Sequence, residues 1–256
     1  MNIADAAAVY AGATEGQAVY YGPHLLWNVA GWEPPAATLL NNLLAFYPLN
    51  DAGNGTVSLL DTSGNNRTLT NNNGVLLHSG RILGGANFDS SQKSLTRNDF
   101  VFFGLSNLTF SFWLFVNGVS SPQCFLHTGT LGQNNGGGIG FYGDSSNKIL
   151  CLPFNNSALG LKTENFERQK WYHIVATFAR TGSTTEAALY VDGAFVGSKS
   201  GSPWFTSSSQ NGLVVGRATQ QQSNNGIVDA VGIWDRALTQ GEIVQLYNSG
   251  SGFEFY

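Results

Sequence analysis

Along most of the chain apolar and polar residues alternate with a period of two, the pattern of strands with one face buried. The clearest run is Leu108-Thr-Phe-Ser-Phe-Trp-Leu114, where Leu108, Phe110, Phe112 and Leu114 share a face. The same reading predicts strands at Leu44–Leu49, Gly85–Asp89, Lys93–Thr96, Cys124–His127, Gly138–Tyr142, Ile149–Leu152, Trp171–Phe178 and Leu213–Arg217. Pro48 puts the first of these at a sheet edge or at its own end, because proline has no N–H to give a ladder. Ala188–Val196 reads as a hairpin turning at Asp192-Gly193, a pair suited to a two-residue primed turn. Polar runs rich in Gly, Asn and Ser, such as Asp61–Thr68, Asn134–Gly138 and Gly143–Asn147, separate the strands. Many short strands with turns at close intervals predict an all-β fold, a two-sheet antiparallel sandwich.

The stretch Gly226–Gly250 changes period halfway. Ile227, Asp229, Val231 and Ile233 fall on one face of a strand, and Val228, Ala230, Gly232 and Trp234 on the other. Thr239 followed three residues on by Glu242 is a capping box, in which hydroxyl and carboxylate satisfy each other's backbone N–H. Ile243, Leu246 and Tyr247 then keep helical spacing, and Gly250 supplies a C-terminal stop. One short C-terminal helix is predicted, and Asp229 is an acid set in an apolar strand.

Ahead of the sandwich, Val9-Tyr10-Ala11-Gly12 is echoed at Val19-Tyr20-Tyr21-Gly22, with an apolar tail Leu25-Leu26-Trp27 behind it. Each copy reads as a small strand and a glycine turn, together a small N-terminal β-hairpin arm that must dock on something to be stable. Either it anchors the chain to a partner or it packs on its own domain. Glu33–Leu40, with Pro34-Pro35, reads as an extended linker. The predicted organisation is an arm at 1–32, a linker at 33–40 and the sandwich at 41–256.

Composition narrows the function. Charged residues make up 11% of 256 residues, where ~25% is ordinary, so the surface is built of amides and hydroxyls. A net charge of −4 with 12 basic residues leaves no basic stripe for nucleic acid. No apolar run reaches the ~18 residues of a membrane span. The first ten residues lack the basic and apolar regions of a secretory signal, although the body resembles a protein that works outside cells. Such a protein can leave the cell in a virus particle released by lysis. Cys124 and Cys151 could pair, but lie on segments separated by another strand, and read as two buried thiols. The histidines, His24, His78, His127 and His173, show no zinc or nucleophile spacing; His173, inside an apolar strand, reads as structural.

Six segments carry a resemblance: Leu44-Ala-Phe-Tyr-Pro-Leu49, Asp61-Thr-Ser-Gly-Asn-Asn66, Leu108–Leu114, Trp171-Tyr-His-Ile-Val-Ala176, Tyr190-Val-Asp-Gly193 and Gly226–Gly250. In this order they resemble laminin-G-like domains of the concanavalin-A-like lectin/glucanase group, a pentraxin-like jelly roll, with Ala230 standing where that pattern has Glu. The Val-Tyr-x-Gly echo resembles structural proteins of tailed bacteriophages. The resemblance implies one structural Ca2+, with Asp61 and Asp229 as side-chain ligands and Asn66 and Ser63 completing the shell. The residues alone equally allow Asp61 to begin an Asx turn and Asp229 to bind backbone amides. It also implies carbohydrate binding, for which Trp204, Phe205 and Tyr142 are the aromatic candidates, unless they serve only packing. The related glucanases carry two carboxylates on one strand face, and hydrolysis needs them ~5–10 Å apart. No strand here has two acids at i, i+2 or i, i+4, so no catalytic residue is assigned.

The expected protein is therefore non-enzymatic: a virion structural protein, capsid decoration or tail-fibre component, displaying a lectin-like domain for glycan or host-surface adhesion. Val9, Tyr10, Val19, Tyr20 and Trp27 would anchor it to other virion proteins or to sister subunits, and a homo-oligomer, a trimer among the options, is expected. The alternative is a freestanding carbohydrate-binding lectin module of a bacterial extracellular protein.

Overall fold

The computed structural model describes residues 19–21, 24–26, 37–89, 93–117, 123–129, 139–143, 148–153, 160–163, 166–202, 211–216 and 225–255. A separate two-stranded hairpin pairs β1 (Val19–Tyr21) with β2 (His24–Leu26), Tyr20 opposite Leu25. The second copy of the echo thus pairs with the apolar tail behind it. Val9, Tyr10, Trp27 and the prolines lie outside the described residues.

The sandwich has two antiparallel sheets. One runs β12 (Leu161–Lys162), β11 (Ile149–Pro153), β10 (Ile139–Gly143), β9 (Gln123–Thr128), β16 (Leu213–Gly216), β7 (Ser94–Arg97) and β4 (Thr70–Asn72). The other runs β15 (Ala194–Gly201), β14 (Thr184–Val191), β13 (Trp171–Thr181), β8 (Asn107–Val116), β17 (Gly226–Trp234), β6 (Gly84–Phe88) and β5 (Leu76–Ser79), with β3 (Leu43–Tyr47) also on β17. Between them lies the main core, in which Phe110, Phe112, Phe141 and Phe178 meet edge to face. The two-sheet sandwich predicted from the alternation, and the jelly roll the resemblance implies, is the fold. At the predicted hairpin Asp192 and Gly193 both take positive φ, as a primed turn requires. Strands β4 and β5, polar or mixed in sequence, gave no such signal.

A second apolar layer covers the outer face of the eight-stranded sheet. Helix α1 (Gln240–Tyr247) begins at Thr239 with the predicted capping box complete. It ends at Asn248, in the left-handed conformation, two residues before the glycine expected to stop it. Ile243, Leu246, Trp113, Trp234, Phe253 and Phe255 pack together beneath it. Leu39 belongs to this layer too, and its carbonyl accepts the Trp234 indole N–H at 2.7 Å, so the sandwich begins inside the expected linker. Among the described residues no helix is long and apolar enough to cross a membrane.

Strand β17 departs from the simple alternation. Val228, Val231 and Ile233 face the main core, whereas Ala230 and Trp234 belong to the outer layer. A bulge between Asp229 and Gly232 causes this, with Ala230 at φ 48°. The bulge falls where β17 changes neighbour: Gly226–Val228 pair with β6, Val231–Trp234 with β3. Cys124 and Cys151 are both buried and unpaired with each other, as read from the sequence.

Candidate functional site

The outer face of the seven-stranded sheet follows from the alternation that builds its inner face. Leu95, Leu126, Phe141, Leu213 and Val215 point into the core. Their neighbours along each strand therefore point out, and ladder register aligns Thr70, Thr96, Val214, His127 and Gly140 in one row across five strands. Ser94 and Asn72 are opposed beside this row, as are Tyr142 and Cys124.

This face is polar and almost free of charge. The Asn72 amide donates to Thr96 Oγ1 at 3.0 Å and to Ser94 O at 3.3 Å. His127 Nδ1 donates to Thr128 O at 3.1 Å. The Ser94 hydroxyl is buried and has no hydrogen-bond partner. A Cβ at Gly140 would lie 2.3 Å from Tyr142 Cε2, so the glycine makes room for the Tyr142 ring to lie along its own strand. Burial, then the neighbouring Cys124, pushes the Tyr142 phenol up, and it stays a neutral hydroxyl. Ser94, Val214, His127 and Tyr142 (6% exposed) are closed to solvent, while Thr70 and Lys162 on the flanking strands are open. Of the three aromatic candidates, Tyr142 lies on this face; Trp204 and Phe205 lie outside the described residues. The sequence did not single out Ser94, Thr96 or His127, although the strand period would have put Thr96 and Ser94 on one face.

The oxygen-rich turn at Asp61 does something else locally. Asp61 Oδ1 accepts the N–H groups of Phe46 (3.0 Å) and Ser63 (2.9 Å), and Oδ2 that of Arg67 (2.9 Å). The Asn65 amide donates to Leu43 O at 2.9 Å, Arg67 to Leu44 O, and Thr62 N to Phe46 O at 2.9 Å. The turn thus serves the outer edge of β3 as a neighbouring strand would, removing an exposed ladder edge. Asn66, at φ 57° and exposed, is a turn residue there.

Asp229 has a different set of partners. Its Oδ2 accepts the N–H groups of Arg81 (2.7 Å) and Ile82 (2.8 Å), in the gap where β6 gives way to β3. Its Oδ1 is buried without a hydrogen-bond partner, and the same holds for Oε1 of Glu254 in the C-terminal tail. Asp61 has no such orphan oxygen. Among the described residues Asp61 and Asp229 accept from different backbone amides.

His173 and Ser111 also meet, Nε2 to Oγ at 2.8 Å, stacked under Trp113 and Tyr247. Burial holds the imidazole down at about 3, so it is neutral, and both side chains are buried between the sheet and α1. The contact ties β8 to β13, the structural role expected of His173.

A two-sheet jelly roll with a helix-covered outer layer defines the concanavalin-A-like class. The profile of the Laminin_G_3 family, of the concanavalin A-like lectin/glucanases superfamily, matches residues 85–244, and the chain belongs to that family. No curated protein matches it in sequence. Among solved structures it is similar to domain 4 of an extracellular arabinanase from Geobacillus stearothermophilus, solved with arabinotriose, at 15% identity and a TM-score of 0.61 over 79% of this chain and 97% of that one. It is similar to the receptor-binding domain of botulinum neurotoxin D at 15% identity and a TM-score of 0.63, covering 83% of this chain and 54% of that one. Trypanosoma rangeli sialidase aligns at 19% identity and a TM-score of 0.58 over 82% of this chain and 33% of that one.

Proposed function

We propose that this protein is a non-enzymatic, lectin-like adhesion protein that takes a glycan. The carrying observation is the two-sheet jelly roll of a lectin superfamily, similar to a domain solved with arabinotriose. A surface poor in charge and built of amides and hydroxyls suits sugar hydroxyls. In the superfamily and in the arabinanase domain solved with arabinotriose, carbohydrate is a recurring partner.

In the fuller form of the proposal the domain is displayed on a tailed-bacteriophage particle, as capsid decoration or tail-fibre component, with residues 1–32 attaching it to virion proteins or sister subunits. The Val-Tyr-x-Gly echo and the low-charge surface support that placement. The second reading, a freestanding carbohydrate-binding module of a bacterial extracellular protein, is favoured by the likeness to a domain of an extracellular enzyme.

Two experiments separate these. Full-length protein is titrated with arabinotriose and screened on a glycan array; saturable binding that Trp204→Ala weakens about tenfold is expected. A lack of any glycan binding would sink the lectin reading. Lysates of producing cells are then sedimented: the virion form puts the chain with particles, and the freestanding form leaves it soluble.

A further inference from the structure

Helix α1 covers only part of the outer face of the eight-stranded sheet. Trp113 and His173 stack with its Tyr247 and are closed to solvent. One strand period away, Phe115 and Trp171 also point outward, since Leu114, Val116 and Tyr172 belong to the main core. Ladder register continues their row. Trp171 stands opposite Phe115, Phe115 opposite Ile227, Ile227 opposite Asn87, and Asn87 opposite Leu76. Ala86, Phe88 and Val228 face the core, which leaves Asn87 and Ile227 on the outer face. The result is an uncharged shelf across five strands, about 19 Å long at ~4.8 Å per strand. Trp171, Phe115 and Asn87 are half-buried, and Leu76 at the sheet edge is 53% exposed. The Phe115 and Trp171 rings lie 5.4 Å apart at 50°, two facets of one aromatic surface. Exposed amides stand at the strand ends beside it. Asn117 donates its N–H to Asn225 O at 3.0 Å, and Gln169 its N–H to Val116 O at 2.9 Å. Lys170, next to Trp171, is paired with Glu167 at 3.5 Å, and Asp89, just past Phe88, with Lys93 at 2.7 Å.

We propose that the shelf from Trp171 to Leu76 binds a neutral oligosaccharide, with the Trp171 and Phe115 rings under the sugar and the Asn87 amide on its hydroxyls. The inference rests on the lectin reading and gives it a site beyond Trp204 and Phe205. Aromatic faces accept the C–H faces of a sugar ring. An amide carries donors and an acceptor on one flat group, so it answers a hydroxyl that both donates and accepts. A row without charge, flanked by amides and by carboxylates and ammonium groups already paired, matches an uncharged ligand with many hydroxyls. Trp171 is held for this task, because its other side packs against the layer under α1. Two sugar contacts on one chain would also strengthen attachment to a surface that repeats the same glycan.

The test probes one glycan array with the full chain as wild type, Trp171→Ala and Asn87→Ala, and with the same two changes in a Trp204→Ala background. Trp171→Ala and Asn87→Ala should each lower the array signal about tenfold in both backgrounds. Signals that neither substitution changes would overturn the shelf and leave the lectin reading standing, whereas a blank array for wild type sinks both. Should Trp171→Ala fail to fold, Asn87→Ala, which alters an amide on the surface, decides alone. Sedimentation velocity separates a sugar from a second copy of the chain. A dimer that Asn87→Ala disperses while glycan binding stays intact would assign the shelf to self-association and overturn the proposal.

Discussion

Asp229 stands across the β8–β17 ladder from Trp113, and its carboxylate holds the amides of Arg81 and Ile82 instead of facing the core with Val231. The bulge at Ala230 makes this possible by turning one residue out of step. Ala230 pays for it with φ 48°, a conformation that costs a side chain ~1–3 kcal/mol. Its buried methyl returns only ~0.8 kcal/mol. Ala230→Gly should therefore be as stable as wild type or about 1 kcal/mol more so, measured by urea unfolding. A clear loss would mean the bulge is not under strain.

Gly80 sets how closely the 80–83 turn approaches Asp229. A Cβ there would lie 1.8 Å from Gly84 O and 2.6 Å from Asp229 Oδ2. Backbone on one side and a fixed carboxylate on the other cannot yield cheaply. Gly80→Ala should cost at least ~1–3 kcal/mol of unfolding free energy, as overpacking does.

Glu242 closes the start of α1. It accepts both guanidinium arms of Arg236 at 2.8 Å and the Thr239 N–H at 2.9 Å. Burial alone would raise its proton affinity, but the bonds from Arg236 and Thr239 outweigh burial and hold the carboxyl down to about 2. A depressed carboxyl stabilises the fold above its unfolded value near 4.5, and that share is lost as pH falls from there through about 2. Glu242→Gln should flatten this part of the stability profile, and Thr239→Ala should cost ~1 kcal/mol at neutral pH.

His173 acts in a neighbouring window with the same sign. Its folded value of about 3 lies below the unfolded 6.5, so below pH 6.5 the unfolded chain takes up a proton that the native chain refuses. Stability should decline by the equivalent of one proton per pH unit between about 6.5 and 3, measured by denaturant midpoints across pH. His173→Gln should remove that slope above pH 5, where Glu242 contributes little; a profile unchanged by the substitution would place the proton elsewhere.

Much of the architecture was legible because its signals are local. Leu108–Leu114 alternates within a single strand, Asp192-Gly193 needs only its own two φ angles, and Thr239 with Glu242 caps a helix across one turn. The outer face of the seven-stranded sheet was half legible. Tyr142 was picked out as an aromatic beside a glycine-rich loop, but only the ladder register brings Thr96, Val214 and His127, far apart in the chain, into its row.

What the sequence determined by itself was the layered all-β sandwich, its hairpin turn and its closing helix, since period and capping act over a few residues. What tertiary structure decided was the use of the acids. Asp61 reads both as a metal ligand and as the start of an Asx turn, and the structure sets its carboxylate on the amides of Phe46, Ser63 and Arg67 beside β3. Asp229 left the core face because β17 changes partners beside it, and Glu254, near the end of the chain, takes the amide of Asn50. An unpaired backbone edge, a bulge and a contact between distant segments arise only when strands are laid side by side. Short-range pattern carries no record of them.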